Sequence, residues 1–253
     1  MHATRRVAGE HAPPARGGAG GEASSFDSPP GRNGTTNAVM DDVGTRREDL
    51  ADALTHGAGT ALSVAGLVLL VVFSVRNGDA WHVTSTAVFG ATLVILYSAS
   101  TLYHSVRGER AQALCQKLDH AAIFLLIAGT YTPFALVTLR GPWGWSLFGV
   151  IWGLAAAGVA LKFWFAGRFR IASTLLYLGM GWLVVIALRP LVTALPRGGL
   201  AWLFAGGLCY TLGTVFYLAR RMPYHHAVWH LWVLAGSACH WVAVFVFVVP
   251  ARA

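Results

Sequence analysis

Polar and apolar positions in this chain segregate over long stretches rather than alternating residue by residue. From about residue 54 onward, long apolar runs are separated by short polar gaps, with no period-two alternation of the kind a β-barrel strand carries. Seven runs reach membrane length, at about 54–75, 82–104, 119–138, 143–165, 171–189, 200–219 and 226–249. Each is near the ~20 residues an α-helix needs to cross the hydrocarbon core. Inside that core every backbone polar group has to be satisfied within the segment, which selects helix. Gaps of 4–14 residues between the runs leave no space for another domain. The pattern predicts an all-α membrane domain of seven transmembrane helices within residues 48–250.

Residues 1–47 are a different material. They are rich in Gly, Ala, Pro, Ser and Arg and nearly devoid of large apolar side chains. Such a stretch cannot bury enough surface to fold and is expected to be a disordered tail. Its early arginines precede no apolar h-region, so it does not read as a signal peptide. Met40 opens the segment Met40-Asp41-Asp42-Val43 leading into the apolar part, and the expectation is that the true start is Met40 and that residues 1–39 are an extension.

Composition supports the membrane assignment. The 253 residues are 55% hydrophobic and 12% charged, about half the charged fraction of a soluble domain. The net charge of +8 is spread over many short loops rather than gathered on one face, which excludes a nucleic-acid binder and points to topology and anionic lipid head groups. With the N-terminus inside, the inner loops hold Arg107, Arg110, Lys117, Lys162, Arg168, Arg170, Arg220 and Arg221, and the outer segments hold Arg76, Arg140, Arg189, Arg197 and Arg252. Eight against five, with Arg46 and Arg47 added just ahead of the first run, sets the N-terminus in the cytoplasm and the C-terminus outside. A multi-pass plasma-membrane protein whose partners are membrane lipids is expected. Cys115, Cys209 and Cys239 form no CxxC pair and give neither a disulfide framework nor a zinc-knuckle spacing.

Candidate chemistry gathers at one depth. His226 and His230 are four residues apart at the start of the seventh run, hence on one helix face. The derived orientation brings His104, at the inner end of the second run, and Asp119, at the start of the third, to the same level. Histidine at membrane depth is costly without a partner and marks a functional site. Three histidines with a water in the fourth position make a catalytic-type zinc shell. Asp119 would then ligate directly, or hold the water and act as general base. Ser100, one turn before His104, would donate a hydrogen bond to a substrate carbonyl or to the water. Plainer alternatives stand beside these readings. The His226–His230 pair suits solvation by lipid head groups, Asp119 suits a helix N-terminus or an ion pair with Lys117, and Ser100 suits helix packing. Counted from His230, His240 lies about 15 Å further along and off the face. His120 points away from its neighbour Asp119, and His225 and His82 read as interface residues. His56 is at the right depth, but nothing in its spacing makes it a ligand.

The motifs Glu48-Asp49-Leu50-Ala51-Asp52-Ala53-Leu54-Thr55-His56, Ser100-x-x-x-His104, Leu118-Asp119-His120, Gly129-Thr130-Tyr131-Thr132-Pro133 and His226-x-x-x-His230-Leu231 together resemble the hemolysin III branch of the progestin and adipoQ receptor family. The resemblance covers residues 46–250 in order. It implies seven helices with the N-terminus inside, and a zinc ion held by His104, His226 and His230 near the cytoplasmic face. It also implies that Asp119 contacts the zinc through water, with Ser100 nearby. Where the family motif often has Asn, this chain has Asp52. Family members are linked to hormone reception, to ceramidase-like lipid amide hydrolysis and to membrane-lipid homeostasis. Three functions follow as expectations: a zinc-dependent lipid amide or ester hydrolase, a non-enzymatic membrane sensor with structural zinc, or a pore-forming haemolysin. The pore ranks last, because runs four to six carry no buried charge and no polar path.

Overall fold

The computed structural model describes residues 32–164, 170–219 and 221–249. Residues 1–31 of the expected tail, and Arg168, Arg220 and Arg252 of the loop count, lie outside the described residues. By its internal contacts the chain divides into Met1–Met40 and Asp41–Ala253, and the seven spans belong to the second unit.

Helices α1 (Arg32–Asn77), α2 (Ala80–Ser105), α3 (Glu109–Pro133), α4 (Pro142–Trp164), α5 (Arg170–Gly181), α6 (Leu188–Ala194), α7 (Arg197–Leu218) and α8 (His225–Phe247) follow one another without a strand among the described residues. Seven of the resulting segments are long and apolar enough to cross a membrane. The third is α3 continued by a π-helical turn over Phe134–Thr138, and the fifth is α5 and α6 joined by a 3₁₀ segment over Trp182–Ala187. α1 begins at Arg32, within the stretch expected to be tail.

The start of α3 differs from expectation. Glu109 opens the helix instead of lying in a loop, so Asp119 falls ten residues inside it. A helix dipole acts within the first turn, so it does not explain Asp119 at that position.

α2 packs along α3, α3 against α4, and α7 along α8. α1 closes on α2 and α8: a side chain at Gly59 would come within 2.7 Å of the Tyr97 ring and 2.9 Å of Leu234, and Trp241 Nε1 donates to Gly66 O at 3.2 Å. Small residues let membrane helices approach this closely. Leu70, Phe89, Ile151, Leu191 and Val244 form part of the sealed interior, whereas Leu62, Val68, Trp164, Ile186 and Val215 face outward, as lipid-facing positions do.

Two polar devices manage the breaks. Pro133 has no backbone N–H, and the helix widens after it, with Leu139 N bonding Phe134 O at 2.8 Å. Tyr131 reaches the 3₁₀ break of the fifth span. Its hydroxyl accepts from Val184 N at 2.8 Å and donates toward Gly181 O at 2.7 Å and Met180 O at 3.0 Å. Backbone groups released by the break are thereby satisfied inside the bundle. At the other device, Asp79 caps α2, accepting from Trp81 N at 3.0 Å and His82 N at 3.1 Å, and pairs with Arg140 at 3.1 Å. The hydrogen bond with His82 is the main reason the Asp79 carboxyl stays well below the usual carboxylate range; Arg140 adds to it.

Candidate metal centre

α8 starts at a left-handed residue, Tyr224 (φ 54°), whose N–H donates to Glu48 Oε1 of α1 at 3.0 Å. The first two turns of α8 then present His226 and His230 toward the C-terminal end of α2, where His104 lies. The three rings form a triangle, with centroids 5.1 Å apart for His104–His226, 5.2 Å for His104–His230 and 4.6 Å for His226–His230. One nitrogen from each lies within 4.8 Å of the others, a grouping that could hold a metal ion.

The unused hydrogen-bonding capacity of the rings fits a metal. His104 Nδ1 faces Asp52 Oδ2 at 3.5 Å and Asp49 Oδ1 at 3.8 Å, while its Nε2 is buried with no hydrogen-bond partner among the described residues. A carboxylate on one nitrogen orients the ring and leaves the other as a lone-pair donor. His230 follows the same logic. The Thr55 hydroxyl donates to Ala51 O and Asp52 O, both at 2.9 Å, so its oxygen accepts from His230 Nδ1 at 3.2 Å and leaves Nε2 as the candidate ligand.

Asp119 is buried and belongs to neither of the metal-competent groups among the described residues, the second of which is Asp49, Asp52 and His104. It lies beside Ser100, whose buried Oγ makes no well-formed hydrogen bond among the described residues. Both line one large cavity together with His226 and His230.

Sequence reasoning missed three contributors. Asp52, 3% exposed, lies between His104 and His230 (His230 Nδ1 is 3.9 Å from its Oδ1). His56 stacks face to face on His230, with ring centroids 3.5 Å apart and planes 13° apart, and neither of its nitrogens has a hydrogen-bond partner among the described residues. Asp49 stands behind His104. His120 and His240, set aside on spacing, line the same cavity as the histidine cluster. His82 serves the α2 cap, and His225 Nδ1 bonds Phe216 O at 3.2 Å.

The cavity runs from this polar cluster between α3, α5, α7 and α8, has a volume of about 140 Å³ and is partly open at the surface. Leu126, Ile127, Leu178, Leu191 and Val233 make most of its passage apolar.

Comparison with known proteins agrees with this architecture. Residues 45–241 match the family model described as "Haemolysin-III related". The chain is 46% identical to "Hemolysin-3" of Bacillus cereus over 204 residues, covering 81% of this chain and 93% of that protein. It is 43% identical to "Hemolysin-3 homolog" of Bacillus subtilis (strain 168) over 205 residues, 81% of this chain and 96% of that one. A more distant similarity, 27% over 181 residues (63% of this chain, 48% of the other), is to "Heptahelical transmembrane protein ADIPOR1" of Oryza sativa subsp. japonica. The chain therefore belongs to the haemolysin-III-related family, the hemolysin III branch of the progestin and adipoQ receptor family.

Proposed function

We propose that this membrane protein is a zinc-dependent hydrolase of lipid amides or esters, with its N-terminus and its metal centre on the cytoplasmic side of the plasma membrane. The observation that carries the reading is the cluster of His104, His226 and His230, with one nitrogen of each within 4.8 Å of the others, next to an apolar cavity that His226 and His230 line. His104, His226 and His230 would hold the ion, with Asp52 and Thr55 orienting two of the rings from behind. Zinc at such a site supplies a Lewis acid and makes a water acidic near neutral pH. Asp119 takes the proton from water as its oxygen attacks the lipid carbonyl, then returns it to the departing amine or alkoxide as the C–N or C–O bond breaks. Ser100 Oγ–H donates to the carbonyl oxygen as it gains charge. The position of Asp119 outside the three-histidine group favours this open shell over a structural site closed by four protein ligands.

The test is turnover of acyl amides and acyl esters by purified protein. Wild type hydrolyses one class, and Asp119→Asn and His230→Ala each lose about 10²–10⁴-fold, the range of general acid–base catalysis. Turnover retained in both variants, or absent from zinc-loaded wild type with both classes, sinks the reading.

A further inference from the structure

The three-histidine cluster shares His104 with a second set of donors. Asp49 and Asp52 are three residues apart on α1, hence on one helix face, and both carboxylates stand at the Nδ1 side of His104. One ligand atom from each of Asp49, Asp52 and His104 lies within 4.8 Å of the others. The two separations from Nδ1 are 3.8 Å for Asp49 Oδ1 and 3.5 Å for Asp52 Oδ2. Both exceed the ~2.7–3.2 Å of an N–H···O hydrogen bond. They are close to the about 3.3–3.6 Å that separates two ligands of one tetrahedral ion at ~2.0–2.2 Å. The set opens to water on one side only: the Asp49 side chain is 48% exposed, against 7% for His104 and 5% for Asp52.

A second observation, independent of the spacing, asks for a positive charge here. Among the described residues Asp52 faces two imidazoles, His104 and His230, and no lysine or arginine. Its Oδ1 is buried and accepts no hydrogen bond among them. The nearest candidate donor, His230 Nδ1, is 3.9 Å away and bonds Thr55 Oγ1 instead. An imidazole that serves as a metal ligand is neutral and cannot offset the carboxylate. A buried carboxylate without donors is stabilised by a paired charge or a metal ion.

We propose that Asp49, Asp52 and His104 form a second cation station, at which a divalent ion arrives from water before it passes to His104, His226 and His230. A neutral imidazole has one lone pair, so His104 serves one station at a time. While the ion sits on the three histidines, Asp52 orients the His104 ring; while it sits at the outer station, both carboxylates are ligands. Oxygen-rich and open at Asp49, the outer station takes Mn2+ as well as Zn2+, whereas the imidazole group favours zinc. The inference rests on the three-histidine reading for the destination of the ion. The outer station itself does not depend on it.

Two measurements on metal-stripped full-length protein test this. Mn2+ binding is read at equilibrium from the electron paramagnetic resonance of the free ion, because an ion on an open site leaves during desalting. The double variant His226→Ala/His230→Ala, which lacks the destination, binds about one Mn2+ per chain. Adding Asp49→Asn weakens that binding at least about 10-fold. No Mn2+ binding by the double variant, or binding that Asp49→Asn leaves unchanged, overturns the outer station. Zinc uptake is followed by stopped flow with a fluorescent indicator. The half-exposed Asp49 is replaced without burying anything new, so this arm does not hang on folding. Asp49→Asn slows uptake at least about 10-fold, and Asp49→Glu, which restores a carboxylate, recovers it. The slowing persists in about 1 M salt, where a Debye length of about 3 Å removes steering by surface charge. Uptake by Asp49→Asn as fast as wild type, or a slowing that vanishes in salt, overturns the passage of the ion through Asp49. Failure of the three-histidine reading leaves wild type without retained zinc but leaves the Mn2+ binding in place, so the two failures are distinguishable.

Discussion

Asp52 is the residue on which the site turns. It is the carboxylate buried between His104 and His230, at 3.5 Å and 3.9 Å from their Nδ1 atoms. A carboxylate behind a ligating imidazole fixes its tautomer and raises its basicity. Asp52→Asn therefore weakens zinc affinity about 10–100-fold, read by competition against a chelator of known affinity. Unchanged affinity contradicts that role. At this scale the sequence was legible for His104, His226 and His230, because the alternation of seven spans brings the end of the second and the start of the seventh to the same side. It was not legible for Asp52, which sits in a run of charges that reads as a solvated face. One signal was present: Asp52 precedes His56 by four residues, so acid and imidazole share a face of α1. His240 was lost by counting from His230. Counted from His226 it is fourteen residues on, close to four full turns, and back on the same side of α8.

Among the elements, the fifth span shows how a partner reshapes a helix. Residues 171–189 read as one uninterrupted apolar run, yet α5 stops at Gly181 and resumes as α6 at Leu188. The reason lies in another helix, since Tyr131 of α3 accepts the Val184 N–H and donates to the carbonyls before it. No local pattern carries that information. Tyr131→Phe keeps the ring and removes the hydroxyl that meets the Val184 N–H and the Gly181 carbonyl, a cost of about 0.5–1.5 kcal/mol that appears as a lower thermal midpoint. An unchanged midpoint means the break is held by something else. The cap of α2 gives a pH test. Asp79 has a folded-state pKa below its unfolded value, chiefly through His82, so its stabilisation is present above about pH 4 and is lost as pH falls through the acidic range. The difference in thermal midpoint between wild type and Asp79→Asn accordingly shrinks between about pH 7 and about pH 3. A gap that stays constant excludes the ionised cap.

For the whole molecule, bilayer thickness did most of the encoding. A hydrocarbon core of fixed width demands runs of fixed length, and all seven spans follow from that constraint even where their boundaries moved, as when α3 began at Glu109 instead of near Asp119. The cavity was not encoded in any comparable pattern, because it arises where α3, α5, α7 and α8 fail to fill the space between them. Its polar end joins residues from the first, second and last spans, so the candidate metal would clamp the start of the bundle to its finish. Metal analysis of the purified chain tests this most directly. Wild type is expected to carry about one zinc per chain, retained in Ser100→Ala and lost in His104→Ala, His226→Ala and His230→Ala. A zinc-free wild type after zinc loading, or a full complement of zinc in the three histidine variants, contradicts it.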